Sequence, residues 1–159
     1  MKFISKSEKQ TINFAKKFAK TLKGSDVLGL IGDLGTGKTV FAKGLAEVLG
    51  IECAHSPTFV LMHLHKIKNQ RSKIKSQGLR IKFLCHIDAY RLSDAEALLE
   101  IGADEYIGNP EVITVIEWAE KVKKILPKKT KWIKFEHYPK KENWRIIKYN
   151  SPSPLLRGK

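Results

Sequence analysis

The chain has 159 residues, of which 42% are hydrophobic and 29% charged, with two cysteines and a formal net charge of +14. That size builds one well-packed core and is too short for two ordinary domains, and no apolar run approaches the length needed to span a bilayer. The opening MKFISKSEK has no hydrophobic stretch after its lysine, and Cys53 and Cys85 have neither CxxC nor metal-ligand spacing. The expectation is therefore a cytoplasmic protein with no signal peptide, no membrane contact and reduced thiols in or near a core.

The charge is unevenly spread. Residues 66–82 hold seven basic and no acidic residues, 83–120 hold one basic and nine acidic, and 121–159 hold thirteen basic and two acidic. An acidic segment between basic ones fits an electrostatically guided partner, RNA among the candidates, and it equally fits a solvated lysine-rich surface. No RRM, KH or zinc-knuckle pattern accompanies the lysines.

In chain order, SKSEKQTINFAKKFAKTLKG predicts a helix. Ser5 and Ser7 each have a Glu or Gln three residues on, as a capping box requires. Ile12, Ala15, Phe18, Ala19 and Leu22 form its apolar stripe, and Gly24 is placed to cap its end. VLGLI, residues 27–31, reads as a buried parallel strand, and TVFAKGLAEVLG as an amphipathic helix with Val40, Phe41, Leu45, Val48 and Leu49 on its apolar side.

Between them GDLGTGKT, Gly32 to Thr39, matches the P-loop pattern G-x-x-x-x-G-K-[ST] in full. The glycines let the chain curl with N–H groups pointing inward around phosphate oxygens, and the helix start adds its positive dipole end. Lys38 places a point charge on the β and γ phosphates, and the Thr39 hydroxyl can ligate Mg²⁺. Asp33 and Leu34 occupy free positions and need no role of their own, and the nucleotide-binding segment taken whole is Asp33, Leu34, Gly35, Thr36, Gly37, Lys38, Thr39 and Val40.

Ser56-Pro57-Thr58 precedes a strand expected from Phe59 to about His65. Thr58 is either a strand-capping residue or a switch-like sensor of a γ-phosphate. His55, His63 and His65 show no zinc spacing and read as packing or surface histidines. The basic run 66–82 suggests a hairpin tip or mobile loop around Gln77-Gly78. FLCHIDAYRL then gives a strand, Phe83 to Ile87, ending in Asp88, a Walker B-like carboxylate that can hold Mg²⁺ directly or through a water. Ala89 follows it, so the water-activating group must be elsewhere.

SDAEALLEIGADEYIG predicts a helix capped by Ser93, with a second helical turn near 104–107. Val112 to Ile116 is a further buried strand. It ends at Glu117, which is either a helix-start glutamate or a second carboxylate able to reach the metal or the attacking water. Trp118 packs over the site or in the core, and a helix is expected over 119–125. Lys131–His137 and Trp144–Tyr149 predict an antiparallel hairpin turning at Pro139, with Trp132, Ile133, Phe135, Trp144 and Ile146 as core contacts. Residues 151–159 read as a loose tail after one domain spanning 1–150.

A GTPase is disfavoured, because no N-K-x-D follows and DAYR lacks the glycine of D-x-x-G. Two alternatives stay open. A small-molecule kinase would need an arginine-bearing lid, for which 66–82 is the only candidate, and an RNA-binding module would use the nucleotide as a switch.

With GDLGTGKT, SPTF, HIDAYRL and IEWAEK in this order, the chain resembles the TsaE (YjeE) family of small bacterial P-loop ATPases over roughly residues 5–137. The resemblance implies a P-loop NTPase fold, with a mostly parallel central sheet flanked by helices. It implies a slow, partner-stimulated hydrolase that takes ATP to ADP with Mg²⁺ and acts with TsaB and TsaD in forming threonylcarbamoyladenosine at position 37 of tRNA, without performing the carbamoyl transfer itself. Contact with tRNA would be indirect. Carried over by position, Lys38, Thr58, Asp88 and Glu117 become the catalytic residues, with Thr58 the γ-phosphate sensor and Glu117 the residue that places water. Thr39, Asp88 and Glu117 become the metal ligands, and Trp118 joins the nucleotide-binding segment. The basic run 66–82 departs from the family, whose members have a shorter connection there.

Overall fold

Val112–Glu117 is buried at all its positions, as only a strand covered on both faces can be. It forms one of the inner strands of a seven-stranded sheet. The computed structural model of the chain describes residues 1–51, 61–67 and 81–150, and in them the strands are β1 (Lys2–Ser5), β2 (Val27–Ile31), β3 (Met62–Lys66), β4 (Phe83–Asp88), β5 (Val112–Glu117), β6 (Lys131–Tyr138) and β7 (Lys141–Tyr149). Their order is β1-β7-β6-β2-β5-β4-β3. The inner four, β6, β2, β5 and β4, are mutually parallel, whereas β3 pairs antiparallel with β4 at one edge and β7 and β1 pair antiparallel beyond β6 at the other.

Helices α1 (Glu8–Ala19) and α2 (Lys38–Val48) cover one face. They pack so closely that a Cβ on Gly44 would stand 2.7 Å from the Ala15 Cβ. Phe14, Phe18, Phe41 and Phe135 lie beneath them, each almost wholly buried, with ring centroids 5.5–6.2 Å apart along the series. Burying one such side chain contributes about 1.5–3 kcal/mol, so this cluster is the main tie between the helices and β6. The other face is covered by the short helix α3 (Glu96–Glu100) and the 3₁₀ segment Ala119–Ile125, over Val27, Cys85, Ile87 and Ile116. Among the described residues no helix is long and apolar enough to cross a membrane.

Several local expectations change. The N-terminal residues Lys2–Ser5 form a strand paired with β7, so Ser5 is buried and bonds Thr11 instead of capping. Ser7 is the cap: its Oγ accepts from the Gln10 N–H, and the Gln10 side chain accepts in return from the Lys6 N–H. The helix stops at Ala19 with Lys20 as its cap, so Gly24 is not the terminator. α3 has five residues, and Asp94, not Ser93, accepts from a first-turn N–H, that of Ala97. Residues 119–125 are 3₁₀ in place of α-helix.

The hairpin forms, but the buried positions of β7 are Ile147 and Tyr149, with Trp144 and Ile146 only half-buried. Ile147 and Tyr149 join the core beneath α1 and α2, and Trp144, Ile146 and Lys148, which alternate with them, face the opposite side of the sheet. Cys85 is fully buried, and burial pushes its thiol up to about 12, so it is a packing residue. Cys53, His55, Phe59, the Gln77-Gly78 turn and the 151–159 tail lie outside the described residues, as does nearly all of the basic run.

Candidate functional site

The P-loop joins β2 to α2 through backbone shapes that a side chain would obstruct. Gly32 has φ +138°, and a Cβ there would meet the Phe135 carbonyl oxygen at 2.2 Å. Gly37, the N-cap of α2, has φ +97° and faces open space. α2 begins with no side-chain cap and no acidic residue in its first turn, whereas α1 has Ser7 and Glu8 at its start. The first N–H groups of α2 and its positive dipole end are thus left for an outside anion.

Lys38 is only 5% exposed. Its Nζ donates to the Gly32 and Asp33 carbonyls at 2.6 and 2.9 Å and stands 3.8 Å from the centre of the Trp118 ring. Burial lowers its pKa, and the carboxylates of Glu117, Glu120, Asp88 and Asp33 work against that shift. The cation is held inside the loop, ready for a stronger anionic partner.

Two carboxylates approach from neighbouring parallel strands, because Asp88 and Glu117 are register partners at the ends of β4 and β5. Glu117 is 2% exposed. Its Oε2 accepts from the Thr39 hydroxyl at 2.7 Å, and its Oε1 from His86 Nε2 at 2.9 Å. Asp88 is less buried, and its Oδ1 accepts from the Tyr90 N–H at 3.0 Å. Trp118 takes up a left-handed conformation with φ +57°, which turns the chain sharply after β5. The Trp118 ring meets Tyr90 with centroids 5.0 Å apart.

These groups share one cleft of about 420 Å³, lined by Leu34 to Val40, Asp88, Tyr90, Arg91, Glu117 and Trp118. The cleft thus joins Lys38, Thr39, Asp88, Glu117 and Trp118. Asp33 stands at its back through its carbonyl bond to Lys38, and Thr58 lies outside the described residues. The donors are hard oxygens, suited to Mg²⁺. Among the described residues no group of three His, Cys, Asp or Glu could hold a metal by itself. His63 and His65 stay in β3 with their rings 5.7 Å apart.

A second cleft, about 410 Å³, opens on the other side of the loop. It shares Gly35, Gly37 and Val40 with the first and is otherwise lined by Lys6, Ser7, Glu8, Thr11, Asn143 and Arg145. Arg145 donates to the Gly35 carbonyl at 3.0 and 3.2 Å, holding the loop from outside. Sequence reasoning missed Arg145, Thr11 and His86. Only His86 carried a usable signal, since it stands two residues before Asp88 and therefore on the same face of β4.

A family profile described as threonylcarbamoyl adenosine biosynthesis protein TsaE matches residues 5–146. The tRNA threonylcarbamoyladenosine biosynthesis protein TsaE of Rickettsia bellii is 38% identical over 130 residues, 78% of this chain and 78% of the relative. Its counterpart in Bacillus subtilis is 36% identical over 128 residues, 80% of this chain and 72% of the relative. The crystal structure of YdiB from Bacillus subtilis superposes with a TM-score of 0.68 at 30% identity, over 94% of this chain and 83% of that one. Family profile, relatives and fold agree, and the chain belongs to the TsaE family of tRNA threonylcarbamoyladenosine biosynthesis proteins.

Proposed function

We propose that this protein binds ATP with Mg²⁺ and hydrolyses it slowly, in support of the TsaB and TsaD proteins that form threonylcarbamoyladenosine at position 37 of tRNA. The observation that carries the reading is the convergence of Lys38, Thr39, Asp88 and Glu117 on one cleft at the start of α2. An uncapped helix start, a held cation, a hydroxyl and two carboxylates are the parts that phosphoryl transfer to water needs.

In this reading the triphosphate lies along the loop in the first cleft. The nucleoside reaches over Val40 into the second, toward Thr11 and Arg145, because the two clefts meet at Gly35, Gly37 and Val40. Lys38 leaves the Gly32 and Asp33 carbonyls for β and γ oxygens, which bind an ammonium more strongly than neutral carbonyls do. Thr39, Asp88 and Glu117 would hold Mg²⁺, which when bound supplies positive charge to the β and γ phosphates. Glu117 orients the water that attacks the γ-phosphorus in line, and the bond to the β-phosphate oxygen breaks to leave ADP and phosphate. Thr58 is assigned to the γ-phosphate as its sensor. Partner control falls to TsaB and TsaD, and tRNA is reached through them.

The test is steady-state ATP hydrolysis by the purified protein with Mg²⁺, alone and with TsaB and TsaD added. A slow basal rate that rises with both partners is expected. Lys38→Ala should reduce turnover by about 10²- to 10³-fold, and hydrolysis by that variant at the wild-type rate would sink the assignment.

A further inference from the structure

His86 is buried in the middle of β4 with 2% of its surface exposed, and neither the P-loop nor the Asp88 motif gives it a task. Its Nε2 stands 2.9 Å from Glu117 Oε1, and Glu117 is itself 2% exposed. Facing an ionised carboxylate, which has no hydrogen to give, Nε2 is assigned as the ring nitrogen that carries the proton and donates. β4 and β5 are parallel neighbours with Asp88 beside Glu117, which sets His86 two residues back from Asp88 on the face that Glu117 occupies. The outer torsion of a glutamate is soft and roughly two-fold. Without a donor on Oε1, either oxygen could turn to the cleft, and the buried Oε1 would lack a partner.

We propose that His86 is a positioning residue for Glu117: the imidazole fixes Oε1, so that Oε2 stays turned toward Thr39 and the reacting phosphate. This rests on the reading of Glu117 as the acid that directs water. The orientation has two ends, His86 on Oε1 and the Thr39 hydroxyl at 2.7 Å on Oε2. Thr39 must turn part of its capacity toward a metal. Among the described residues His86 Nε2 is bonded to Glu117, so His86 is the end that can remain fixed through the cycle.

Two substitutions separate reach from polarity. In His86→Gln the side-chain amide extends about as far as Nε2, and in His86→Asn it falls short. The Asn variant should lose turnover about ten- to a hundredfold while its affinity for a fluorescent ATP analogue changes less than about threefold, and the Gln variant should recover most of the rate. Equal rates in the Asn variant and the wild type, or a Gln variant as slow as the Asn variant, would overturn the proposal.

A second readout does not depend on activity. In a ¹⁵N–¹H spectrum of the histidine rings, His86 should show a slowly exchanging proton on Nε2 that is lost in Glu117→Ala. A ring protonated only on Nδ1, or a signal untouched by Glu117→Ala, would also overturn it. Absence of hydrolysis in the wild type would instead remove the hydrolase reading, and the ring spectrum would still decide whether His86 holds Glu117.

Discussion

The two ends of the sheet are built on opposite plans. Where β2, β4 and β5 end, strands buried on both faces carry polar groups into the interior: Glu117 and His86 are each 2% exposed and bonded to one another. Beyond β6, among the described residues, the antiparallel strands β7 and β1 pack one face beneath α1 and α2. The opposite face of β6 and β7 carries ion pairs at the surface, Lys148 of β7 and Lys134 of β6 on Glu136 of β6, which hold that carboxyl below its usual range. Exposed pairs of that kind contribute little to stability, whereas a buried carboxylate stripped of its donor costs much more. The difference assigns labour. In the proposed reading the parallel end positions chemistry, and the antiparallel end supports the loop and shapes the second cleft.

The largest effect should come from the parallel end. Glu117→Gln keeps the size of the side chain and removes its charge, so ATP binding should persist while turnover falls about 10²- to 10⁴-fold, the range of a lost general base. Single-turnover hydrolysis beside an equilibrium binding measurement separates the two. A Gln variant that hydrolyses at the normal rate would take Glu117 out of the mechanism and erase the contrast between the two ends.

The seam between the ends is the next place to test. α1 lies over β7 and β6 through Phe14, Phe18 and Tyr149, α2 lies over the parallel strands, and the two helices meet where Gly44 faces Ala15 and Ile12. In Gly44→Ala the new methyl would sit 2.9 Å from the Ile12 carbonyl oxygen. The helices must separate slightly, at a cost of about 1–3 kcal/mol. Thermal unfolding should show a midpoint lower by several degrees, with a smaller change in turnover at saturating ATP. An unchanged midpoint would mean that the seam is looser than its packing implies.

How much of this could be read from the residues differs between the same two ends. GDLGTGKT specifies a backbone shape, and a strand ending in Asp or Glu after a P-loop strand has few places to go in a parallel sheet, so the meeting of Lys38, Thr39, Asp88 and Glu117 in one cleft was legible. The antiparallel end was not. Lys2–Ser5 is too short to show a period, and it is a strand only because residues 145–148 lie beside it. In β7, Trp144 and Ile146 look as apolar as Ile147 and Tyr149, and only the helices on one face decide which pair is buried. His86 on Glu117 and Arg145 on Gly35 are contacts between distant segments, which no local pattern encodes.

The smallest effect is expected from Arg145, which tests whether the antiparallel end merely supports the loop. Its guanidinium donates to the Gly35 carbonyl and also to those of Glu142 and Trp144, so it ties the loop to the start of β7 while lining the second cleft. Arg145→Ala removes these bonds from a partly exposed site. Each bond contributes about 0.5–1.5 kcal/mol net, and the loop retains its glycine geometry and its own Lys38 contacts. The dissociation constant for ATP should therefore rise by about tenfold or less, appearing in KM more than in kcat. Titration of the variant with a fluorescent ATP analogue, alongside its steady-state kinetics, gives both numbers. A fall confined to kcat would place Arg145 with the chemistry of the parallel end, because an arginine that acts on the transition state lowers the barrier without first tightening the ground-state complex.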